Sequence, residues 1–235
     1  MQQTQQQILR HHGGDGENAR QMISQTYAER HDESFWQFWM QSVQPVIQAG
    51  DGLMDLGAGT GLFVQDLAQR YPESNVIGIE AAPYMLEALV DLPSNARIEL
   101  DDLNEPGLVV ADNSVAVIMT NLVVHEVIQP VLMFQAAYRW LKPGGRFCVI
   151  DLVRQPLEDY LTQRYPQAEI SQGKLKREEL ENAFEHFLEH NRYHAADLLY
   201  MLTACGFKLL EQAPLKNGRM VRLLVEKPIK NGSLA

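Results

Sequence analysis

GLMDLGAGTG, residues 52–61, runs from an apolar strand pattern through Asp55 into the alternating glycines Gly57, Gly59 and Gly61, and a helical pattern from Leu62 to Arg70 starts directly behind it. Glycines at such a strand-to-helix junction permit a tight turn and let the backbone approach a ligand that a Cβ would repel. The spacing is GxGxG, one residue short of the dinucleotide fingerprint GxGxxG. A helix N-terminus behind the loop suits a phosphate or a carboxylate equally well.

Working outward, short apolar runs alternate with helical stretches. NVIGIE (75–80) precedes a helix predicted from Pro83 to Val90. ARIEL (96–100) and VAVIMTN (115–121) follow, then a helix from Pro130 to Leu141, the turn KPGG and the run RFCVID (146–151). Nearly continuous apolar strands alternating with helices predict a mostly parallel α/β sheet with helices on both faces. Near the end, the helix AADLLYMLTAC (195–205) stops at Gly206, and FKLLEQ and RMVRLLVEK read as an antiparallel pair. Residues 1–18, Gln-rich and then Gly-rich, are expected to be a mobile arm. Residues 19–235 are expected to form a single domain, with an N-terminal helical cap over 19–49 and a helical lid insertion over 154–192. In that insertion Leu180, Phe184, Phe187 and Leu188 form the expected inner stripe.

The predicted carboxyl ends of five successive strands carry Asp55, Glu80, Asp102, Asn121 and Asp151. Ligands of doubly wound sheets bind at that edge, so a polar residue at each strand end outlines a crevice.

The formal net charge is -10, from 30 acidic and 20 basic residues. Residues 51–150 hold thirteen acidic and five basic side chains, whereas residues 151–235 hold twelve of each. Such a balance disfavours a protein that wraps a polyanion, so no nucleic-acid partner is expected. The two cysteines form no framework or CxxC pair, no signal-like run opens the chain, and no membrane span is evident; a cytoplasmic location is expected.

In this order the motifs resemble the class I S-adenosylmethionine-dependent methyltransferases, particularly the small-molecule branch similar to quinone-biosynthesis enzymes. MDLGAGTG, IGIEAAPYML, DNSVAVIMTNLVVHEV, LKPGGRFCVID and LLYMLTACGF carry the resemblance, over Gly50 to Asp151 and again from Ala195. It implies a Rossmann-like seven-stranded sheet with an antiparallel last strand, S-adenosyl-L-methionine as cofactor, and a small-molecule acceptor. It further implies that Asp55 holds the methionine ammonium while Gly57, Ala58 and Gly59 pass beneath the cofactor. Glu80 would take the ribose hydroxyls beside Ala81, and Asn121 and Leu122 would border the methionine portion. Asp102 with Leu103 would meet the adenine, although the long loop NEPGLVVADNS leaves Asp101 as a competitor of Asp102.

An acceptor that must lose a proton needs a base, and His125, four residues beyond Asn121, is the best-placed histidine. Tyr27, with Trp36 and Trp39, offers an aromatic wall near a sulfonium, core packing being the other role for the tryptophans. His186 and His190 sit beside Glu185 and Glu189, opposite the expected inner stripe, and are read as a solvated face; no metal is expected. His194 opens the next helix, where a substrate contact is one reading. Three functional alternatives remain at this level: an RNA or protein methyltransferase of the same fold, a cofactor-binding partner subunit without catalysis, and a nicotinamide dehydrogenase. The oligomeric state, monomer or homodimer, is not readable.

Overall fold

In a computed structural model, which describes residues 1–165 and 175–229, the glycine loop lies at the centre of one sheet. Its strands are β1 (Gly52–Leu56), β2 (Asn75–Glu80), β3 (Ala96–Leu100), β4 (Val115–Asn121), β5 (Leu141–Leu152), β6 (Lys208–Leu215) and β7 (Met220–Glu226). The described residues give the order β3-β2-β1-β4-β5-β7-β6. Pairing is parallel from β3 to β5, and β7 is antiparallel to both β5 and β6. The predicted class, a seven-stranded mostly parallel sheet closed by an antiparallel strand, is the observed one.

The apolar strands are buried on both faces, as their composition requires. Along β4, Ile118 packs with Met133, Phe134 and Trp140 of α6 (Pro130–Trp140). Its neighbours Val117 and Met119 point the other way, into a cluster with Phe35, Trp39, Phe63 and Leu67. Phe35 belongs to α3 (Glu33–Phe38), and Phe63 and Leu67 to α4 (Leu62–Arg70). Edge strand β6 alternates instead between exposed and half-buried residues. Among the described residues no helix is long and apolar enough to cross a membrane.

Two elements depart from the sequence reading. Helix α5 spans Pro83–Leu86 and stops short of Val90, because the Val90 amide donates to the Thr60 carbonyl at 3.0 Å and ties the chain back to the glycine loop. Residues Gln2–His11, expected to be a mobile arm, form helix α1. Glutamine is a fair helix former, and Thr4, Ile8 and His11, at steps of four and three, all line the cavity below. The Thr4 hydroxyl donates to Asp102 at 2.6 Å. Asp15 then caps α2 (Gly16–Arg30) by accepting from the amides of Glu17 and Asn18.

After β5 come α7 (Leu157–Arg164), α8 (Arg177–His190) and α9 (Ala195–Ala204). Residues 166–174 of the stretch read as a lid, and Lys230, lie outside the described residues.

Candidate functional site

A cavity of about 460 Å³ opens at the carboxyl ends of β1, β2 and β4. Residues of α1, α2 and α8 form its outer wall, and Gly57, Ala58 and Gly59 run along its floor. All three loop glycines have left-handed φ; that of Gly57 is +83°. A Cβ on Gly57 would lie 2.2 Å from Val123 Cγ2, whereas on Gly59 it would stand in open space with only Ile23 within 4 Å, at 3.8 Å. Gly59 therefore offers a cradle that a side chain would fill.

Glu80 locks this loop to β2: its carboxylate accepts from the Gly59 amide at 2.7 Å and from the Ala82 amide at 2.8 Å. Burial raises its pKa. Asp55, equally buried, is pushed up to about 7, first by burial and then by the charge of Glu80, with Arg30 opposing. Two buried carboxylates on one wall are a natural receptor for a cation and for hydroxyl donors, which would repay their desolvation.

Asp102 and Leu103 line the cavity, as do Ala81 and Met85. Asp101 faces elsewhere: its carboxylate accepts from the amides of Gly107 and Leu108, at 3.0 and 2.7 Å, and so folds its own loop. Of the two competing aspartates, Asp102 is the one in the wall. Asn121 and Leu122 are also in the wall. Leu122 adopts a φ of +62°, a conformation costly for a branched side chain. Among the described residues the buried Oδ1 of Asn121 has no hydrogen-bond partner and so offers an acceptor to a ligand.

Tyr27 lines the cavity and donates to Asp66 at 2.5 Å. Its ring lies 4.3 Å from that of His31, which stacks on Phe63 at 4.8 Å. The aromatic wall is thus Tyr27, His31 and Phe63. Trp39 is core, and Trp36 lies under the Arg70 guanidinium at 3.6 Å.

His125 is in the wall but is not a ready base. Its Nδ1 is 2.6 Å from Asp151 Oδ1 and its Nε2 is 3.3 Å from Glu126 Oε1. Burial alone would lower its pKa, but the two carboxylates outweigh it and push the imidazole up to about 10. Asp151 also accepts from the amides of Val123 and Val124, fixing the turn that presents His125.

The reading of His186 and His190 as a solvated face is corrected. The buried residues of α8 are Ala183, Phe187 and His190, at steps of four and three, and His186 and His190 line the cavity. Leu180, Phe184 and Leu188, expected inside, are 41%, 47% and 44% exposed. The sequence reading placed the helix face by its apolar residues alone, whereas His190 turns inward to Glu126, 3.6 Å away, and His186 meets the Tyr160 hydroxyl at 2.8 Å. Six of the seven histidines, 11, 12, 31, 125, 186 and 190, line the cavity. His194 is outside it; its backbone amide donates to Asp197 at 2.8 Å as part of the cap of α9. The sequence reading also missed Thr4, Arg30 and Glu126, and the pair His125-Glu126 was the signal available for the last.

The Asp55 carboxyl has a consequence for ligand binding. Its folded pKa lies above the ordinary 3.8, so in the empty protein it holds a proton below about pH 7 and must lose it to face an ammonium group. Affinity for an ammonium-bearing ligand is therefore expected to rise between pH 6 and 8 and to be accompanied by proton release, measurable by calorimetry in buffers of different ionisation enthalpy. A flat profile over that window would exclude Asp55 as the counter-charge.

Comparison with known proteins bears out the resemblance. Residues 54–149 match the methyltransferase domain family. The chain is 36% identical over 109 residues to an arsenite methyltransferase of Halobacterium salinarum, covering 45% of this chain and 28% of that protein. It is 30% identical over 129 residues to a ubiquinone/menaquinone biosynthesis C-methyltransferase of Syntrophotalea carbinolica, covering 54% of each. The chain spans about half the length, or less, of these curated relatives. Among solved structures, geranyl diphosphate C-methyltransferase from Streptomyces coelicolor, in complex with Mg2+, geranyl diphosphate and S-adenosyl-L-homocysteine, superposes with a TM-score of 0.60. The identity is 17%, over 85% of this chain and 80% of that one. Phosphoethanolamine N-methyltransferase 2 of Haemonchus contortus, in complex with S-adenosyl-L-methionine, gives 0.59 at 13% identity, over 78% and 50%. The solved structures show the class I methyltransferase fold, and residues 54–149 are the part that matches the methyltransferase domain family.

Proposed function

We propose that this methyltransferase domain binds S-adenosylmethionine and transfers its methyl group to a small-molecule acceptor. The observation that carries the reading is the pair Asp55 and Glu80, buried side by side over a glycine loop in one cavity. When bound, the cofactor supplies an electrophilic methyl on a sulfonium, and the acceptor's lone pair displaces the thioether in line.

The chain's own part is binding, alignment and exclusion of water. Asp55 faces the ammonium, and Glu80 accepts from the ribose hydroxyls with the lone pairs left free by the amides of Gly59 and Ala82. Asp102 and Leu103 border the adenine. The rings of Tyr27, His31 and Phe63 lie along the side where a positive sulfonium is favoured. His125, held as a cation between Asp151 and Glu126, is suited to orient an anionic acceptor group rather than to remove a proton.

Arsenite and quinone relatives both take small acceptors by name, and a cavity of about 460 Å³ suits small ligands. Cys148 is fully buried in β5 and Cys205 follows α9; neither lines the cavity, which favours an organic acceptor over a thiol-bound one. Among the described residues, three of the basic side chains near the end of the chain are engaged within the protein, which favours a small acceptor over a nucleic acid. Arg222 pairs with Glu211, Lys208 with Glu226, and Lys227 donates to the carbonyls of Tyr138 and Leu141.

Calorimetry with S-adenosylmethionine and S-adenosylhomocysteine tests the proposal: one site per chain is expected, and no binding of either ligand would end it. Glu80→Ala is expected to weaken both by about 2 kcal/mol, roughly thirtyfold, through lost hydrogen bonds to the hydroxyls and a loosened loop. Unchanged affinity would take Glu80 out of the ribose role. Incubating extract with radiolabelled cofactor and separating by size then distinguishes small acceptors from macromolecular ones.

A further inference from the structure

Beyond the cofactor side, the outer wall brings together three side chains that chain order keeps far apart. His11 comes from the last turn of α1, Glu126 from the short turn after β4, and His190 from the last turn of α8. One nitrogen or carboxylate oxygen from each lies within 4.8 Å of the others. His11 Nδ1 is hydrogen-bonded to Glu126 Oε2, and His190 Nε2 is 3.6 Å from Glu126 Oε1.

An outer contact orients the His190 ring. His190 Nδ1 is 3.1 Å from the carbonyl of His186. A carbonyl only accepts, so that nitrogen carries the proton and Nε2 turns a lone pair toward Glu126. Among the described residues, His11 Nε2 is buried without a hydrogen-bond partner. Its nearest charge is Glu189 Oε1 at 3.6 Å, itself held by Arg10 at 2.7 Å. The carbonyl behind His190 is the usual outer arrangement of a metal-binding histidine, and Glu189 stands near the position it would take behind His11.

We propose that His11, Glu126 and His190 form a site for a divalent transition metal at the acceptor end of the cavity. Its open coordination positions would take an oxygen donor of the acceptor. Two imidazoles and one carboxylate form a mixed nitrogen–oxygen set that suits zinc, iron, cobalt or manganese and leaves positions free. All three residues line the cavity, so the free positions face its interior. The metal also ties α1 to α8 across the crevice, giving the N-terminal helix a reason to dock. The statement about the acceptor rests on the methyl-transfer reading; the metal site does not.

The test uses the full chain, stripped with a chelator and titrated with Co2+ and then Zn2+. One Co2+ per chain with visible ligand-field bands is expected, displaced by Zn2+. Two paramagnetically shifted, exchangeable imidazole N–H signals are expected in the proton spectrum. His190→Ala and Glu126→Gln are expected to abolish uptake, Glu189→Ala to weaken it about tenfold, and His194→Ala, outside the cavity, to leave it unchanged. S-adenosylhomocysteine affinity measured on the same samples reports folding and the cofactor site separately. Cobalt uptake without cofactor binding would leave the metal site standing and remove the methyl-transfer reading. No stoichiometric uptake by the wild-type chain, uptake without shifted imidazole signals, or uptake unaltered in His190→Ala and Glu126→Gln would overturn the metal site. Should a variant fail to fold, the signals of the wild-type cobalt protein decide alone.

Discussion

Replacing Gly57 with valine is expected to cost roughly 3 kcal/mol or more and to abolish cofactor binding. The backbone there has a φ of +83°, and the Cβ of any side chain would lie 2.2 Å from Val123 Cγ2. Left-handed backbone costs a branched residue about 1–2 kcal/mol, and the overlap adds about 1–3 kcal/mol more of repacking. For a domain of this size that is a fall in Tm of roughly 6 °C or more. Gly59→Ala provides the contrast. Its Cβ meets Ile23 at 3.8 Å and adds no overlap, so the cost is confined to the left-handed φ of +55°, about 1–2 kcal/mol, while the ligand's place is filled. An unchanged Tm in Gly57→Val, or unchanged S-adenosylhomocysteine affinity in Gly59→Ala, would contradict the assignment of the loop as the cofactor cradle.

Asp55→Asn is expected to move stability and binding in opposite directions. A folded pKa of about 7 against an ordinary 3.8 means that the folded chain holds its proton more tightly than the unfolded one. The stability this contributes is complete below about pH 4 and is lost as pH rises through 7, so at pH 8 the ionised carboxylate is a burden on the empty protein. The amide removes that burden, and the empty variant should gain about 1–3 kcal/mol at pH 8, read as a higher Tm. Its affinity for S-adenosylhomocysteine should fall about tenfold or more with the lost charge-assisted bond to the ammonium. The pH dependence of binding between 6 and 8 should vanish in the same variant. A lower Tm at pH 8, or retained affinity, would show that Asp55 has a structural partner instead of a ligand to receive.

The strand-and-helix alternation was legible because two-sided burial demands continuous apolar runs such as VAVIMTN, and because a tight turn beside a ligand demands glycine. The cavity wall was legible for a related reason: strand ends converge on one sheet edge, so Asp55, Glu80, Asp102 and Asn121 could be placed from chain order alone. Orientation was less accessible. Asp101 and Asp102 are neighbours in sequence, yet only Asp102 faces the cavity, since the amides of Gly107 and Leu108 hold Asp101 elsewhere. His125 was found but its protonation was not, because that depends on Asp151 and Glu126 standing on either side of the ring.

The sequence by itself determined the sheet, its glycine turn and the acids at its edge, all consequences of local pattern and of where strands end. Only the tertiary structure decided what lies opposite them. Docking of α1 and α8 turned a Gln-rich segment, and the helix face opposite three exposed apolar residues, into a histidine-lined wall. Which side of a helix is inner depends on the polarity of the surface it meets, and here that surface is a cavity whose carboxylates, Glu126 foremost, select imidazole over leucine.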